Sequence, residues 1–233
     1  MYFDWTYIIL VMPAVLFTMW ASSNVKNTYA RYSNQFNRRG ITGAEAARRV
    51  LDANGLRHVP IERVSGELSD HYDPRTNVVR LSQGVYDSTS TAAVGVACHE
   101  VGHAIQYAVN YAPVKMRTAI LPITNLGAQL SIPLIIGGFL LASFSPRLIM
   151  LAYLGVACFG LSTLFQLITL PTEFNASRRA VQTIDGMGLL QGEELDGAKK
   201  VLRAAALTYV AALAVSLMQL LRFIIMVSGR RRD

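Results

Sequence analysis

Four long stretches without a charged residue constrain the fold more than any other feature of this sequence. They cover residues 5–25, 118–146, 148–172 and 204–221. Each reaches the roughly 18 to 20 residues that a helix needs to cross the apolar core of a bilayer. Of the 233 residues, 52% are hydrophobic and only 16% are charged, which is too apolar for an ordinary soluble domain. The sequence therefore predicts an α-helical membrane protein with about four transmembrane helices.

The basic residues predict the orientation of these helices. No lysine or arginine precedes the first stretch, whereas Lys26, Arg31, Arg38 and Arg39 follow it. Because basic residues accumulate on the cytoplasmic side, we expect the N-terminus outside and the next segment in the cytoplasm. Asp4 stands where a signal peptide would carry a basic residue, so the first stretch is interpreted as a retained anchor. We predict a multi-pass protein of the inner cell membrane.

These spans divide the chain into five segments. We predict a transmembrane anchor at 1–25, a cytoplasmic α+β domain at 26–116, a transmembrane hairpin at 117–172, a cytoplasmic helical segment at 173–203 and a last transmembrane helix with a basic tail at 204–233. Arg222 interrupts the last apolar helix, and Arg230, Arg231 and Arg232 follow it. That helix is either a full span with a snorkelling Arg222 or a shorter or tilted one.

Residues 99–103 carry the motif that indicates the chemistry. His99 and His103 are four positions apart, so on an α-helix both side chains lie on one face and can bind one metal ion. Glu100 follows the first histidine, where its carboxylate can reach a water bound to the same ion. The flanking residues are apolar, so these three side chains would be costly to bury there without a cation. His-Glu-x-x-His is the zinc hydrolase signature.

A third metal ligand is expected at Glu173. Hydrolytic zinc sites use three protein ligands and keep one position open for water. Glu173 directly follows the third apolar stretch, where we expect a new polar helix to begin. The hairpin of the two middle spans must return the chain to the same face of the membrane as the histidines. We expect one Zn²⁺ ion at this site, with Mn²⁺, Fe²⁺ or Co²⁺ as alternatives that the sequence does not exclude.

A small β-sheet is predicted between residues 58 and 82. Short apolar runs alternate there with prolines, glycines and a turn at Asp73. The last run contains Val78, Val79 and Arg80 and precedes the metal-binding helix. These three residues are predicted to bind substrate, because an extended peptide can be added as a strand to the edge of a sheet. The alternative is that the sheet only covers the core of the domain.

The sequence resembles the YugP-like membrane zinc metallopeptidases and, more distantly, the HtpX-type gluzincins. The resemblance rests on residues 69–74, 78–82, 99–106 and 170–179, together with the order of the spans. It implies a membrane-embedded endopeptidase with a small α+β zincin-like domain. In such a protein His99, His103 and Glu173 would bind zinc, and Glu100 would be the base.

Two further residues are predicted around this site. Four residues after the third ligand, the HtpX-type proteins have an aspartate that orients a ligand histidine, whereas this chain has Ser177. Its hydroxyl can hydrogen-bond an imidazole, but without a charge. A donor to the developing oxyanion is also expected, with His71, Tyr72, Arg178 and Arg179 as candidates. We predict His71 as the catalytic one, and an ordinary turn or surface role is the alternative for each candidate.

Two functions from different classes fit these features. The first is a zinc endopeptidase that cleaves membrane or membrane-proximal proteins, with its active site facing the cytoplasm. The second is a membrane adaptor in which a structural metal supports recruitment of a partner protease. Structural zinc sites usually have four ligands, often including cysteine, and Cys98 is expected on another side of the helix from His99.

The expected partners follow from the charge and the membrane spans. The net charge of +7 is attributed to segments that flank the membrane and to anionic lipid, so no nucleic acid partner is expected. A protein or peptide substrate and the lipid bilayer are expected. The sequence leaves open a membrane-protein partner or a homo-oligomer.

Overall fold

The computed structural model describes residues 5–229, so the predictions made from Asp4 and from the three arginines after Gly229 lie outside the described residues. The chain forms two compact units. The first comprises Met1–Trp20, Met116–Leu170 and Tyr209–Asp233, and the second comprises Ala21–Lys115 and Pro171–Thr208. The five segments predicted from the sequence stay a prediction. They are defined by membrane topology, whereas the two units are defined by packing within the chain.

Helices account for most of the described chain, as predicted. A π-helical turn at Tyr7–Val11 precedes the first α-helix, and a 3₁₀ turn at Pro146–Leu148 precedes the sixth. The α-helices are α1 Met12–Ser33, α2 Gly43–Ala53, α3 Gln83–Tyr86, α4 Thr91–Ala108, α5 Ala112–Leu141, α6 Ile149–Gly186 and α7 Glu193–Gly229. The strands in the described part of the chain are β1 Ile61–Val64, β2 His71–Asp73 and β3 Val78–Ser82.

Within residues 5–229, four helical segments are long and apolar enough to cross a membrane, which confirms the predicted number. They are Tyr7–Ser33, Ala112–Leu141, Pro146–Gly186 and Glu193–Gly229. The last of them continues through Arg222 without a break. The guanidinium of Arg222 lies 5.3 Å from the ring centroid of Tyr7, and this cation–π contact helps an apolar helix to accommodate the charge.

Glu173 does not begin a new helix, contrary to the prediction. It lies inside α6, which is continuous from Ile149 to Gly186 and contains Pro171. Proline removes only one backbone donor, and the residues that follow, including Ala176 and Arg178, favour helix. Regular helical backbone therefore flanks the predicted third ligand on both sides.

The predicted sheet is present, and β3 is its middle strand. The strand order is β1-β3-β2, with β1 parallel and β2 antiparallel to β3. Val79 is opposite Ile61 on one side and Tyr72 on the other, so the backbone of β3 is paired along both edges. The prediction that a peptide is added as a strand at Val78, Val79 and Arg80 is therefore wrong, because both edges of β3 are already paired. The three-residue strand β2 covers the edge that the sequence left open.

The core of the second unit lies between α2, α4, α6 and β3. Leu51, Leu81, Val94 and Ile184 are among its fully buried side chains. α2 begins with the predicted capping box, in which Thr42 accepts from the backbone N–H of Glu45 and the Glu45 carboxylate accepts from the backbone N–H of Thr42. The capping box stabilises the start of α2, and the shared apolar core packs α2 against α4, the helix that carries the two histidines.

Close helix contacts at glycine hold the first unit together. A Cβ on Gly138 would lie 2.3 Å from the backbone nitrogen of Ala152, and one on Gly155 would lie 2.7 Å from that of Ile135. No larger residue fits at these two positions. α5 and α6 thus use small residues to approach each other, as helices in membranes commonly do.

Candidate metal centre

α4 presents the two histidines on one face. Ser90 caps this helix by accepting a hydrogen bond from the backbone N–H of Ala93 at 3.2 Å. A Cβ on Gly102 would lie 2.6 Å from the carbonyl oxygen of Ala176, so glycine is needed for α4 to lie this close to α6. This approach brings the α6 residue Glu173 to the histidines.

His99, His103 and Glu173 form a cluster of three metal-ligating groups. Their ligand atoms all lie within 4.8 Å of one another. Oε2 of Glu173 is 3.4 Å from Nε2 of His99 and 3.5 Å from Nε2 of His103. The Glu173 side chain is only 3% exposed, whereas those of His99 and His103 are 14% and 12% exposed. The carboxylate is therefore buried beneath two imidazoles that water can still reach.

The donor set of this cluster fits a zinc ion. Zinc binds imidazole nitrogen and carboxylate oxygen at about 2.0–2.2 Å, so two ligands of a tetrahedral ion are separated by about 3.3–3.5 Å. The distances from Glu173 to both histidines fall at this separation. Among the described residues the cluster has three members, which is the ligand number of a catalytic site and not of a closed structural one.

Gln106 fixes the orientation of His103, a role that the sequence analysis missed. The side chain is fully buried, and its Nε2 donates to the Thr172 carbonyl at 2.7 Å and to Asn175 Oδ1 at 3.1 Å. Its Oε1 must then face His103, and it lies 3.0 Å from Nδ1 of that ring. Since an amide oxygen can only accept, His103 carries its proton on Nδ1 and keeps Nε2 for a metal. A buried amide three residues after the motif was the available signal.

Ser177 contacts the other histidine. Its Oγ lies 3.1 Å from Nδ1 of His99, the ring nitrogen that faces away from Glu173. Ser177 is the residue that the sequence analysis predicted as a partner for a ligand histidine. A hydroxyl that accepts from Nδ1–H leaves Nε2 of His99 available to a metal.

Glu100 is held by the sheet. Its carboxylate Oε2 accepts from the backbone N–H of Tyr72 at 3.0 Å, and the residue is only 8% exposed. Tyr72 lies on the outer strand β2, and its ring packs 5.5 Å from that of Tyr107 on α4. The sheet thus determines where the carboxylate beside the two ligands can lie.

The four oxyanion candidates occupy different environments. His71 has an exposed side chain whose Nδ1 lies 2.7 Å from the carbonyl oxygen of Ser69, so its catalytic role stays a prediction. Tyr72 donates from its phenol to Asn77 at 2.6 Å. Arg179 donates to Asn175 at 2.8 Å and thereby extends the network around Gln106. The fourth, Arg178, is exposed on α6.

The polar residues of β2 and β3 mainly stabilise the sheet. Asp70 accepts from the backbone and the hydroxyl of Ser82 at 2.7 and 3.0 Å. Asp73 accepts from Arg80 at 2.9 Å, and Arg80 also contacts Glu62 at 3.0 Å. A backbone bond from Arg75 and the contact with Arg80 lower the pKa of Asp73 to about 2. Arg80 is therefore committed to the sheet.

Cys98 does not belong to the cluster. The side chain is fully buried in the apolar core, and burial raises the pKa of its thiol to about 12. Metal ligation requires a thiolate, which this environment disfavours strongly. The residue next to His99 therefore serves packing and not metal binding.

Comparison with known proteins bears directly on this geometry. The family described as "Putative neutral zinc metallopeptidase" matches residues 7–228, nearly the whole chain. The chain belongs to this family. The resemblance predicted from the sequence is thus confirmed, and membership of the zinc metallopeptidase family implies zinc, which suits the donor set of His99, His103 and Glu173.

A curated relative covers the same length. The protein described as "Putative membrane protease YugP" from Bacillus subtilis (strain 168) is 48% identical over 225 residues, which are 96% of this chain and 98% of the relative. No solved structure matches the chain. The membrane assignment of that relative agrees with the four apolar helices, and together they indicate that this family member is a multi-pass membrane protein.

Proposed function

We propose that this chain is a zinc-dependent endopeptidase of gluzincin type that hydrolyses peptide bonds in membrane or membrane-proximal proteins. One observation carries the proposal. The buried carboxylate oxygen of Glu173 lies at a zinc-ligand separation from Nε2 of His99 and of His103, all three ligand atoms lie within 4.8 Å of one another, and a second carboxylate, that of Glu100, follows the first histidine on the same helix. Three ligands with a neighbouring carboxylate are typical of hydrolytic zinc sites.

His99, His103 and Glu173 would hold the zinc ion. When bound, zinc lowers the pKa of a coordinated water and polarises the carbonyl group that is attacked. Gln106 and Ser177 keep the Nδ1 proton of each histidine directed away from the ligand position. Because their partners fix both rings before binding, less ordering is needed when the metal arrives.

Glu100 acts as the general base. Its carboxylate takes a proton from the attacking water and then gives that proton to the leaving amine. The backbone N–H of Tyr72 holds Oε2, so the other oxygen remains for the water.

The arrangement of α4 and the sheet supports a zincin-like domain and a peptide substrate. An extended peptide can pair only with an outer strand, and β2 is the outer strand whose backbone contacts Glu100. We therefore assign strand addition to β2 instead of β3, with the N–H of Tyr72 already engaged by Glu100. His71 is the candidate donor to the oxyanion, and donation from Nε2 requires the doubly protonated ring because Nδ1–H already donates to the Ser69 carbonyl. An exposed imidazole on this strand can approach the bound peptide from the solvent side.

The substrate class follows from the sequence position of the third ligand. Glu173 is the first residue after an uncharged stretch of transmembrane length, so the active site is expected within a few residues of the membrane surface. Basic residues on both sides of the middle spans favour the cytoplasmic face. Membrane proteins and their juxtamembrane loops are the substrates that can reach such a site.

The adaptor alternative is less well supported. A structural zinc site would need a fourth protein ligand, and the cluster has three members among residues 5–229. Cys98, the neighbouring residue best suited to that role by its chemistry, is a buried thiol in the apolar core.

The test is the replacement Glu100→Gln in the full-length protein in detergent or nanodiscs. We expect zinc content to remain near that of the wild type and cleavage of a membrane-protein substrate to fall by at least about a thousandfold, because the amide cannot accept the proton. Glu67→Gln, a change at an exposed glutamate of the same unit, should leave both unchanged. Cleavage that persists in the Glu100 variant would reject the mechanism, and bound zinc without cleavage in the wild type would favour the adaptor.

A further inference from the structure

A groove of 780 Å³ lies between α6 and α7 in the second unit. On α6 its lining residues recur every three or four positions from Phe174 to Gln182, and on α7 they recur in the same way from Lys199 to Leu207. This spacing is that of a single helix face, so one face of each helix contributes a wall. The groove is large enough for a small ligand or part of a lipid chain.

Most of the exposed surface in this groove is apolar. Val181 and Leu207 are half-buried in its walls, and Leu202 and Ala206 are buried there. An apolar groove in contact with water is unfavourable, because each square ångström of exposed apolar surface costs free energy. The walls therefore favour an occupant with a hydrocarbon portion.

The groove also carries positive charge, and two of its three basic residues have no carboxylate partner among residues 5–229. Arg178, Lys199 and Arg203 line it, and among the described residues no aspartate or glutamate does. Lys199 contacts Asp196 at 3.4 Å on the exposed surface. Within residues 5–229, Arg178 and Arg203 make no ion pair or hydrogen bond to another side chain. Two exposed guanidinium groups beside an apolar wall favour an anionic and amphipathic ligand.

The position of these arginines in the sequence corresponds to the membrane surface. Arg178 lies within two helical turns of Thr172, the last residue of the third apolar stretch, and Arg203 directly precedes Ala204, the first residue of the fourth. Basic residues that flank apolar helices lie at the level of the lipid headgroups. The phosphate groups of anionic lipids therefore lie at the same depth in the membrane as these two side chains.

We propose that this groove is a binding site for an anionic phospholipid. Arg178 and Arg203 donate hydrogen bonds to the headgroup phosphate, and an acyl chain lies along Phe174, Ala206 and Leu207, the lining residues on the membrane side of the two arginines. Anionic charge and hydrocarbon come from a single molecule of the surrounding membrane. The proposal goes beyond peptide hydrolysis and would stand even if the chain had no protease activity.

The groove adjoins the metal centre through one residue. Ser177 lines the groove and its Oγ lies 3.1 Å from Nδ1 of His99. A bound lipid therefore contacts the side chain that supports a ligand histidine. The lipid composition of the membrane can influence the centre through this contact.

Native mass spectrometry of the full-length protein can test the site. The protein in detergent is mixed with phosphatidylglycerol or phosphatidylcholine. After the detergent is removed, the lipid molecules that remain bound to the protein are counted. We expect phosphatidylglycerol to be retained in preference to phosphatidylcholine. The double variant Arg178→Gln and Arg203→Gln should reduce the apparent affinity for phosphatidylglycerol at least about tenfold, since it removes both charged donors to the phosphate. The matched control is Arg49→Gln with Arg57→Gln, which removes equal charge from exposed positions of the same unit outside the groove.

Four results would overturn the proposal. Equal retention of both lipids would show that charge does not select the occupant. Equal losses in the groove variant and the control variant would show a diffuse effect of charge. Unchanged lipid retention in the groove variant, with a raised KM for a peptide substrate, would make the groove a peptide site. Glycerol phosphate, the headgroup without acyl chains, should bind far more weakly than phosphatidylglycerol, and equal binding would identify a site for free phosphate instead.

Discussion

The two histidines of the candidate metal centre come from one motif, but the structure supports them differently. His103 is held by Gln106, a buried amide that makes three hydrogen bonds and connects α4 to Thr172 and Asn175 on α6. His99 is held by the single hydroxyl of Ser177, which can rotate. The motif thus determines which residues can bind the metal, whereas their partners determine how firmly each ring is positioned.

This difference has a structural consequence for the third ligand. Thr172 precedes Glu173 directly, so the hydrogen bond from Gln106 fixes the α6 backbone beside that carboxylate. Gln106 therefore positions two of the three ligands, whereas Ser177 supports one. Substitutions of Gln106 and Ser177, and protonation of His103, should remove, weaken or strengthen these supports.

Replacement of Gln106 should have the largest effect. Gln106→Leu leaves a leucine of similar size, but the Thr172 carbonyl loses its buried side-chain donor and His103 loses the acceptor for Nδ1–H. We expect zinc affinity to fall about 10- to 100-fold, as is typical when the partner of a ligand histidine is lost. The free energy of unfolding should fall by about 1–3 kcal/mol, the cost of leaving the Nδ1–H of His103 without its acceptor.

Competition with a chelator measures the affinity, and chemical denaturation of the metal-free protein measures the stability. Gln191→Leu, at an exposed position of the same unit, provides the control. Wild-type zinc affinity in Gln106→Leu would contradict the assigned role.

Acidification tests whether His103 binds the metal. Burial lowers the pKa of His103, but its hydrogen bond to Glu173 and the charges of Glu100 and Glu173 raise it above the ordinary value. A protonated imidazole cannot bind zinc, so protons compete with the metal, and this competition strengthens as the pH falls. Zinc affinity should decrease by about tenfold per pH unit below that pKa for each proton displaced. Chelator titrations between pH 8 and pH 5.5 check the slope, and an affinity independent of pH would exclude histidine ligation.

Substitution of Ser177 should have the smallest effect. Ser177→Ala removes one hydrogen bond worth about 1 kcal/mol, so zinc affinity should fall by only about fivefold. Ser177→Asp places a carboxylate near Nδ1 of His99, and a charge-assisted bond should restore or exceed the wild-type affinity. Both variants can be measured by the same chelator titration. A larger loss in Ser177→Ala than in Gln106→Leu would reverse the comparison between the two histidines.

The membrane helices, the small sheet and the family could be predicted from the sequence, because these depend on local composition and on short motifs. The capping box at Thr42 and the strands on either side of the turn at Asp73 were also predictable, since neighbouring residues determine them. Glu173 could be named as a ligand candidate because a hairpin through the membrane limits where the chain can return.

The sequence could not reveal features that depend on long-range pairing. The order β1-β3-β2 places β3 in the middle, and no local pattern distinguishes a middle strand from an edge strand when both are this short. Gln106 looked like an ordinary polar residue near the end of α4. Its role depends on Thr172 and Asn175, which lie far away in the sequence. The break expected at Glu173 is absent because a change in composition from apolar to polar does not end a helix.

X-ray absorption at the zinc edge of the purified full-length protein tests the central claim most directly. We expect a first shell of nitrogen and oxygen at about 2.0–2.1 Å, outer-shell scattering from two imidazole rings, and no sulfur at about 2.3 Å. Glu173→Ala should retain both imidazole signals and lose affinity for the ion. A sulfur ligand, or a wild-type spectrum with one imidazole or none, would contradict a centre built from His99, His103 and Glu173.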